Sequence, residues 1–467
     1  MRQVSRPLSA WLNRPAQRWS RPEILGVGLI AALGLVLRSI DYAGRPELSR
    51  NWDEMAFAWS GLTLITRGVP YGWSFLPHYQ SMTQVLVNGI TYPQVHPYLD
   101  HPPLFSLLLG GEVWLFGARD LAHVTTAMTR PIAVALAALS VVLMYTLARR
   151  ALPAGAALIG TFLFATAPAA VFLGRVAESE ALLSPLLLCA LVLVARVLGE
   201  EGGRWSLAGI TACCVAATLT KVPGVATGVT CAALLAAGGR WRLVALPLGG
   251  AFVGLGLYCI YGWLLDWHQF MAVVADQSAR REGLLGAYEF LASPSGIGGP
   301  LRDGWWLLGC AGLVAVGQRA QAEARLVVWP ALAVALVVLV LGSESVVGRY
   351  GWYRIYVYPL VYLGAGLACW EAIRIGAAGW VAAVLMLGVA TTASLAVGYG
   401  IRGSGPPATL VAAVGLLVVG AAVVAESRGR NAGLRRVARA AIAGAIGIAL
   451  LGNVAESALM GALKQPL

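Results

Sequence analysis

The sequence predicts an all-α fold, a polytopic transmembrane helical protein of about 13 spans with juxtamembrane helices in its first extracytoplasmic loop. Three observations support this. Of 467 residues, 58% are hydrophobic and only 12% charged, and the mean hydropathy is +0.72, a balance foreign to a water-soluble chain of this length. The apolar residues gather into runs of about 17 to 25, the length that crosses the hydrocarbon core as a helix. The arginines fall in short connections between those runs, as the positive-inside rule requires.

In chain order, the first run covers 23–40 and the next 128–148. Then come 154–173, 181–198, 205–220, 222–238 and 243–264, followed by 305–316, 326–341, 357–373, 377–397, 409–425 and 440–460. Residues 103–117 are also apolar, but the stretch is brief, opens on a Pro-Pro pair and contains Glu112. Charge decides its status. If it does not cross, Arg149, Arg150, Arg204, Arg240, Arg242, Arg319, Arg325, Arg374 and the cluster over 428–439 all share the cytoplasmic side; if it crosses, most fall on the wrong side. It is therefore expected to be a juxtamembrane or re-entrant helix, tolerable where it is buried against protein. The N-terminus is then inside and the C-terminus outside, and three outer loops can hold chemistry: 41–102, 266–302 and 343–356.

A formal charge of +12 points first to nucleic acid, but its scatter through interhelical loops fits anionic lipid headgroups instead, and no nucleic-acid partner is expected. The seven cysteines lie in or beside apolar runs without metal-ligand spacing, and read as small buried side chains rather than disulfides or metal ligands. Residues 1–22 hold Arg2, Arg6, Arg14, Arg18 and Arg21 but no apolar core, so they are expected to form a cytoplasmic basic segment against the membrane, not a cleaved signal peptide. No dinucleotide fingerprint or P-loop occurs.

Six segments carry residues suited to chemistry. Asp53 and Glu54 follow the first span; they serve equally as the acidic start of a helix or as a general base whose pKa is raised at a low-dielectric boundary. Asp100-His101-Pro-Pro closes the same loop, either as a rigid turn or with His101 touching a phosphate or hydroxyl and Asp100 orienting it. His78 and His96 share the loop without a zinc spacing. Arg175, Glu178 and Glu180 sit between two spans, where ionisable groups cost about 2.5 to 3.5 kcal/mol each and so face a partner or a cavity. They form either a closed ion pair or a site. Lys221, at the outer end of its span, either snorkels or binds phosphate as a point charge. Arg280, Arg281, Arg349, Tyr350 and Arg354 add guanidinium groups and aromatic rings to that face; the rings are ordinary at an interface, whereas arginines are normally depleted from short outer loops.

The acidic pair after the first span, His-Pro-Pro-Leu before a short helix, the Arg175 to Glu180 spacing, Leu-Thr-Lys221 and the Arg-rich stretch ending Tyr358-Pro359 together resemble the GT-C glycosyltransferases. The likeness is to the bacterial branch related to protein O-mannosyltransferases and lipid A aminoarabinose transferases, and runs from residue 23 to about 364. It implies a polyprenyl-phosphate-linked sugar as donor, an extracytoplasmic acceptor, and an inverting displacement at the anomeric carbon assisted by an aspartate in the first outer loop. Carried onto this chain, that aspartate is Asp53, with Glu54 beside it. Asp100 and His101 stand where relatives have an acid followed by Lys or His, and Glu180 where many have aspartate after an Arg. Arg175, Lys221, Arg280, Arg349, Tyr350 and Arg354 join them as donor-phosphate or substrate contacts. The resemblance leaves room for a divalent cation, Mg or Mn, on Asp53 and Glu180; metal use varies among relatives.

The chain thus divides into the basic N-terminus, 1–22, a catalytic transmembrane module, 23–364, and C-terminal helices, 365–467. It is expected in the inner (plasma) membrane with its site facing outward, where nucleotide sugars are absent and a lipid-anchored donor is needed. The competing class is a secondary transporter with Glu178, Glu180 and Lys221 as coupling site, but internal repeats and midplane broken helices are not legible. A cysteine placed at Gly111 should never become labelled from the cytoplasmic side; labelling there would overturn the topology.

Overall fold

In a computed structural model, described over residues 19–45, 53–79, 82–87, 89–279, 304–319, 326–341, 352–375 and 432–462, the chain is a helical bundle with a small mixed cap. Helix α1 (Arg21–Ser39) opens with a capping box: Ser20 and Glu23 each take the other's backbone N–H, satisfying donors the first turn leaves bare. The cap follows. Helix α2 (Asp53–Arg67) and helix α3 (Pro103–Leu115) are the two juxtamembrane helices expected of the first loop. Between them lies a feature the sequence reading did not include, a three-stranded antiparallel sheet of β1 (Gly72–Trp73), β2 (Met82–Val87) and β3 (Ile90–Val95), in the order β1-β3-β2. Val87 pairs with Ile90, so the connection between the strands is short, and Gly89 takes φ +80°, a conformation that residues with a Cβ resist.

Glycine sets how closely α2 and α3 approach. A Cβ on Gly61 would lie 1.7 Å from the Ser106 carbonyl oxygen, and one on Gly110 would lie 2.2 Å from the Gly61 carbonyl carbon. The two backbones therefore touch, as small-residue crossings allow.

The bundle continues through α4 (Thr126–Thr129), α5 (Pro131–Ala151), α6 (Ala154–Thr166), α7 (Pro168–Leu173), α8 (Glu180–Leu198), α9 (Arg204–Thr220), α10 (Val225–Ala237) and α11 (Ala245–Ala279). After it come α12 (Gly304–Arg319), α13 (Val328–Leu341), a 3-10 turn (Trp352–Tyr356), α14 (Tyr358–Ile375) and α15 (Ala432–Ala462). Among the described residues, four helical stretches are long and apolar enough to cross a membrane: Arg21–Ser39, Thr126–Ala151, Glu180–Leu198 and Trp241–Ala279. Shorter apolar helices pack beside them, and the expected spans over 377–397 and 409–425 lie outside the described residues. One expected span is interrupted. The run over 154–173 breaks at Ala167, because Pro168 has no N–H to continue the ladder. The carbonyls at that break are met from other helices: Arg38 donates to Phe164 and Ala165 at 3.0 and 2.8 Å, and Ser457 to Thr166 at 2.7 Å. The expected span over 243–264 ends at a break at Asp266 in α11, whose φ −166° and ψ 101° are not helical and whose carboxylate accepts from Gln269 N at 2.9 Å, starting a second helical arm. The loop expected from residue 266 thus begins as helix.

The ends of the bundle carry different charge patterns. At one end Arg149 pairs with Glu23, Arg150 with Glu201 and Arg240 with Glu200, which brings three of the arginines that the sequence grouped on one side to the same end. Helix α3 sits at the other end. Its Glu112 reaches the start of α5, Oε1 accepting from Ile132 N at 2.9 Å while Oε2 is buried without a partner. Burial pushes this carboxyl up to about 7 from the usual 4.5, the Ile132 N–H pulling the other way. The native protein then holds a proton that the unfolded chain releases, so stability falls as pH rises from about 4.5 to about 7. Glu112→Gln keeps an acceptor for Ile132 and removes this penalty. Its melting temperature should exceed the parent's by a margin that grows between roughly pH 5 and pH 8; a constant or shrinking margin would contradict the assignment.

Candidate active site

The predicted site residues that are described gather at the end of the bundle bearing α3. Asp53 and Glu54 open α2, Asp100 and His101 precede α3, Glu180 opens α8, Lys221 ends α9, and Arg354 lies in the turn before α14. Arg280, Arg281, Arg349 and Tyr350 lie outside the described residues.

The adjacent acids have different environments. Glu54 is fully buried and grips Arg130, itself fully buried, with Nη2 at 2.5 Å and Nε at 3.1 and 3.2 Å. Its Oε2 also accepts from Ala177 N at 3.3 Å, and Arg130 Nη1 donates to the Tyr42 carbonyl at 2.7 Å. Glu54 therefore joins four pieces of chain, and its carboxylate is saturated. Asp53 is exposed. Burial first, then nearby charges that include Asp53, raise the acid groups of Glu178, Tyr98 and Tyr353.

Behind Asp53 sits a second layer of charge. Lys221 Nζ donates to Glu180 Oε1 at 2.6 Å and lies 4.0 Å from the centre of the Tyr353 ring, a cation–π contact that suits a poorly hydrated ammonium. Ser179 Oγ donates to Glu180 Oε2 at 3.0 Å. Glu178, 1% exposed, has Oε1 buried with no hydrogen-bond partner. Burial first, then the charges of Asp53 and Glu180, push this carboxyl well above the usual carboxylate range, against the pull of Lys221. A neutral Glu178 avoids the cost of an uncompensated buried charge.

Asp100 is oriented by two hydroxyls, Ser74 Oγ at 2.7 Å and Tyr79 Oη at 2.5 Å, and the Tyr79 oxygen in turn accepts from Leu99 N at 2.9 Å. His101 packs between the rings of Phe57 and Tyr98, centroids 5.1 and 6.3 Å away. Arg175 and Arg354 are also brought to this region, but both are fully buried. Arg175 donates to the Leu37 carbonyl at 2.6 Å, and Arg354 stacks 5.6 Å from the Trp306 ring centre. The expected cation between Asp53 and Glu180 finds little support: Glu180 already binds an ammonium, and among the described residues no group of three or more His, Cys, Asp or Glu side chains is placed to hold a metal. No chemical step here is assigned to a metal.

Arg130 was absent from the sequence-derived set. Its signal was present in Thr129-Arg130-Pro131, an arginine abutting an apolar run at its outer end, where positive charge is normally depleted. Tyr79 and Ser74 offered no such signal, since only the sheet and the turn after it bring them to Asp100.

Acids, an ammonium and aromatic rings thus lie together at one end of a bundle that contains membrane-spanning helices. Comparison with known proteins shows what the chain resembles. Residues 100–265 match the dolichyl-phosphate-mannose-protein mannosyltransferase family. ArnT from Cupriavidus metallidurans, in a crystal structure bound to undecaprenyl phosphate, aligns with a TM-score of 0.56 at 17% identity, over 94% of this chain and 77% of that one. Arabinosyltransferase EmbB from Mycobacterium smegmatis aligns at 0.50 and 13% identity, over 98% of this chain and 43% of that one. No curated protein sequence matches. The chain resembles GT-C membrane glycosyltransferases, of the kind that includes protein O-mannosyltransferases and aminoarabinose transferases, in the sequence of 100–265 and in its fold.

Breaking a buried ion pair from one side strands the other charge, at a cost of about 3–5 kcal/mol. Glu54→Gln and Arg130→Met should each lower the melting temperature and the yield of folded protein, whereas the exposed Asp53→Asn should leave both unchanged. Equal melting temperatures for all three proteins would show that the pair is not structural.

Proposed function

We propose that the protein transfers a sugar from a polyprenyl-phosphate carrier to an acceptor hydroxyl on the extracytoplasmic face of the inner membrane, with inversion at the anomeric carbon and Asp53 as general base. The observation that carries this reading is the division of labour between neighbours: Glu54 is saturated by Arg130, and Asp53 alone of the two is exposed. A base must reach the proton it removes.

In the reaction, the acceptor oxygen attacks the anomeric carbon as its proton passes to Asp53. The bond from that carbon to the phosphate oxygen breaks, and its electron pair leaves with the polyprenyl phosphate. Negative charge grows on the phosphate, so fixed positive groups nearby favour the transition state. Lys221 is the described cation suited to this, held in place by Glu180 and Tyr353; Arg280, Arg349 and Arg354 complete the proposed set with His101 and Tyr350. Arg175 and Asp100 shape its walls. A lipid-borne donor also fits the surroundings, since the carrier's chain dissolves in the bilayer that the apolar helices require. The acceptor hydroxyl belongs to a protein, a lipid or a glycan.

Asp53→Asn should reduce transfer at least about a thousandfold, from combined loss of base catalysis and acceptor orientation, with unchanged extraction and melting. Undiminished transfer by that variant would remove Asp53 from the role.

A further inference from the structure

Helix α11 does more than cross the bundle. Beyond its break at Asp266, the arm over 267–279 returns across the first loop, with Phe270 and Val273 buried. Three polar contacts then run from α11 to two short segments of that loop. Tyr258 Oη donates to the Leu99 carbonyl at 2.8 Å, Gln269 Nε2 donates to the His78 carbonyl at 2.9 Å, and Asp276 Oδ1 pairs with His78 Nδ1 at 2.5 Å. The segments gripped are 78–79 and 99–100. These are the ones that meet each other through Tyr79, whose hydroxyl binds both the Asp100 carboxylate and Leu99 N–H.

We infer that the return arm of α11 is a positioning clamp for Asp100 and His101, with the Asp276–His78 pair as its distal fastening. Asp276 is 11% exposed while His78 is 62% exposed, so the contact anchors the loop segment to the arm rather than the reverse. A carboxylate so nearly buried is costly to leave without a cationic or donor partner, which gives the contact its energetic weight. Pulling His78 toward the arm fixes its neighbour Tyr79, and Tyr79 fixes the Asp100 carboxylate from one side while Ser74 holds it from the other. Asp276, His78 and Gln269 touch no reacting group themselves; they act through Tyr79.

The inference rests on the proposal that Asp100 and His101 belong to the transfer site, and the test separates the two. Hydrogen exchange of the full chain in detergent reads the clamp without any substrate. In Asp276→Ala, peptides covering 74–79 and 96–101 should exchange at least about fivefold faster, with α1 and α5 unchanged. In transfer assays with undecaprenyl-phosphate sugars, the same variant should lose about tenfold in kcat with little change in donor KM, because misplaced groups cost rate rather than donor affinity. His78→Gln should do the same, and the double variant should be no worse than either single one, as for partners in one contact. Unchanged exchange in the two peptides, or loosening spread over the whole chain, would overturn the clamp. Additive losses in the double variant would also overturn it. If instead the exchange result holds but Asp100→Asn transfers at the parent rate, the clamp exists and the placement of Asp100 in the transfer site fails.

Discussion

The arrangement at the charged end depends on the Glu54–Arg130 pair. Both side chains are fully buried, so neither charge is tolerable without the other. Through it the start of α2 is tied to the start of α5, to the turn after α1 by the Tyr42 carbonyl, and to the segment before α8 by Ala177 N. Asp53 precedes Glu54 and Glu178 follows Ala177, so one buried pair brings two further acids together without either having to contribute to the join. The join between the segments and the exposed carboxylate proposed as base thus come from separate residues that are adjacent in sequence.

The same logic recurs around it. Glu180 fixes Lys221, Ser74 and Tyr79 fix Asp100, and Arg38 with Ser457 meets the carbonyls that Pro168 strands. In a medium without water each such group must find its partner in protein. Among the described residues, these contacts between separate segments lie where helices break or end.

Much of the fold was legible because a bilayer imposes length and composition on each crossing. Helices α1, α5, α8 and α9 begin and end within a few residues of the runs read from sequence, and the short apolar stretch over 103–117 is the helix α3. The hairpin was legible too, in Val-Asn-Gly-Ile between alternating residues, but an outer loop was treated as chemistry without structure. Within the site, the membership of Asp53, Asp100, Glu180 and Lys221 in one cluster followed from topology. Their pairings did not. Which of Asp53 and Glu54 is buried depends on Arg130, 76 positions away, and the orientation of Asp100 depends on a sheet whose register no local pattern specifies. The arm after Asp266 was missed for a similar reason, since an Asp that caps a new helix and an Asp that starts a loop look alike until a partner for Gln269 is known.

The central claim is that sugar passes from a lipid carrier to a separate acceptor at this site. The direct measurement is to incubate the purified protein with radiolabelled undecaprenyl-phosphate sugars and membrane extract, then to identify the labelled product. The account predicts label on a protein, lipid or glycan acceptor with stoichiometric release of undecaprenyl phosphate. Donor left intact with every sugar tested, together with solute uptake by vesicles containing the protein, would contradict it and point to transport.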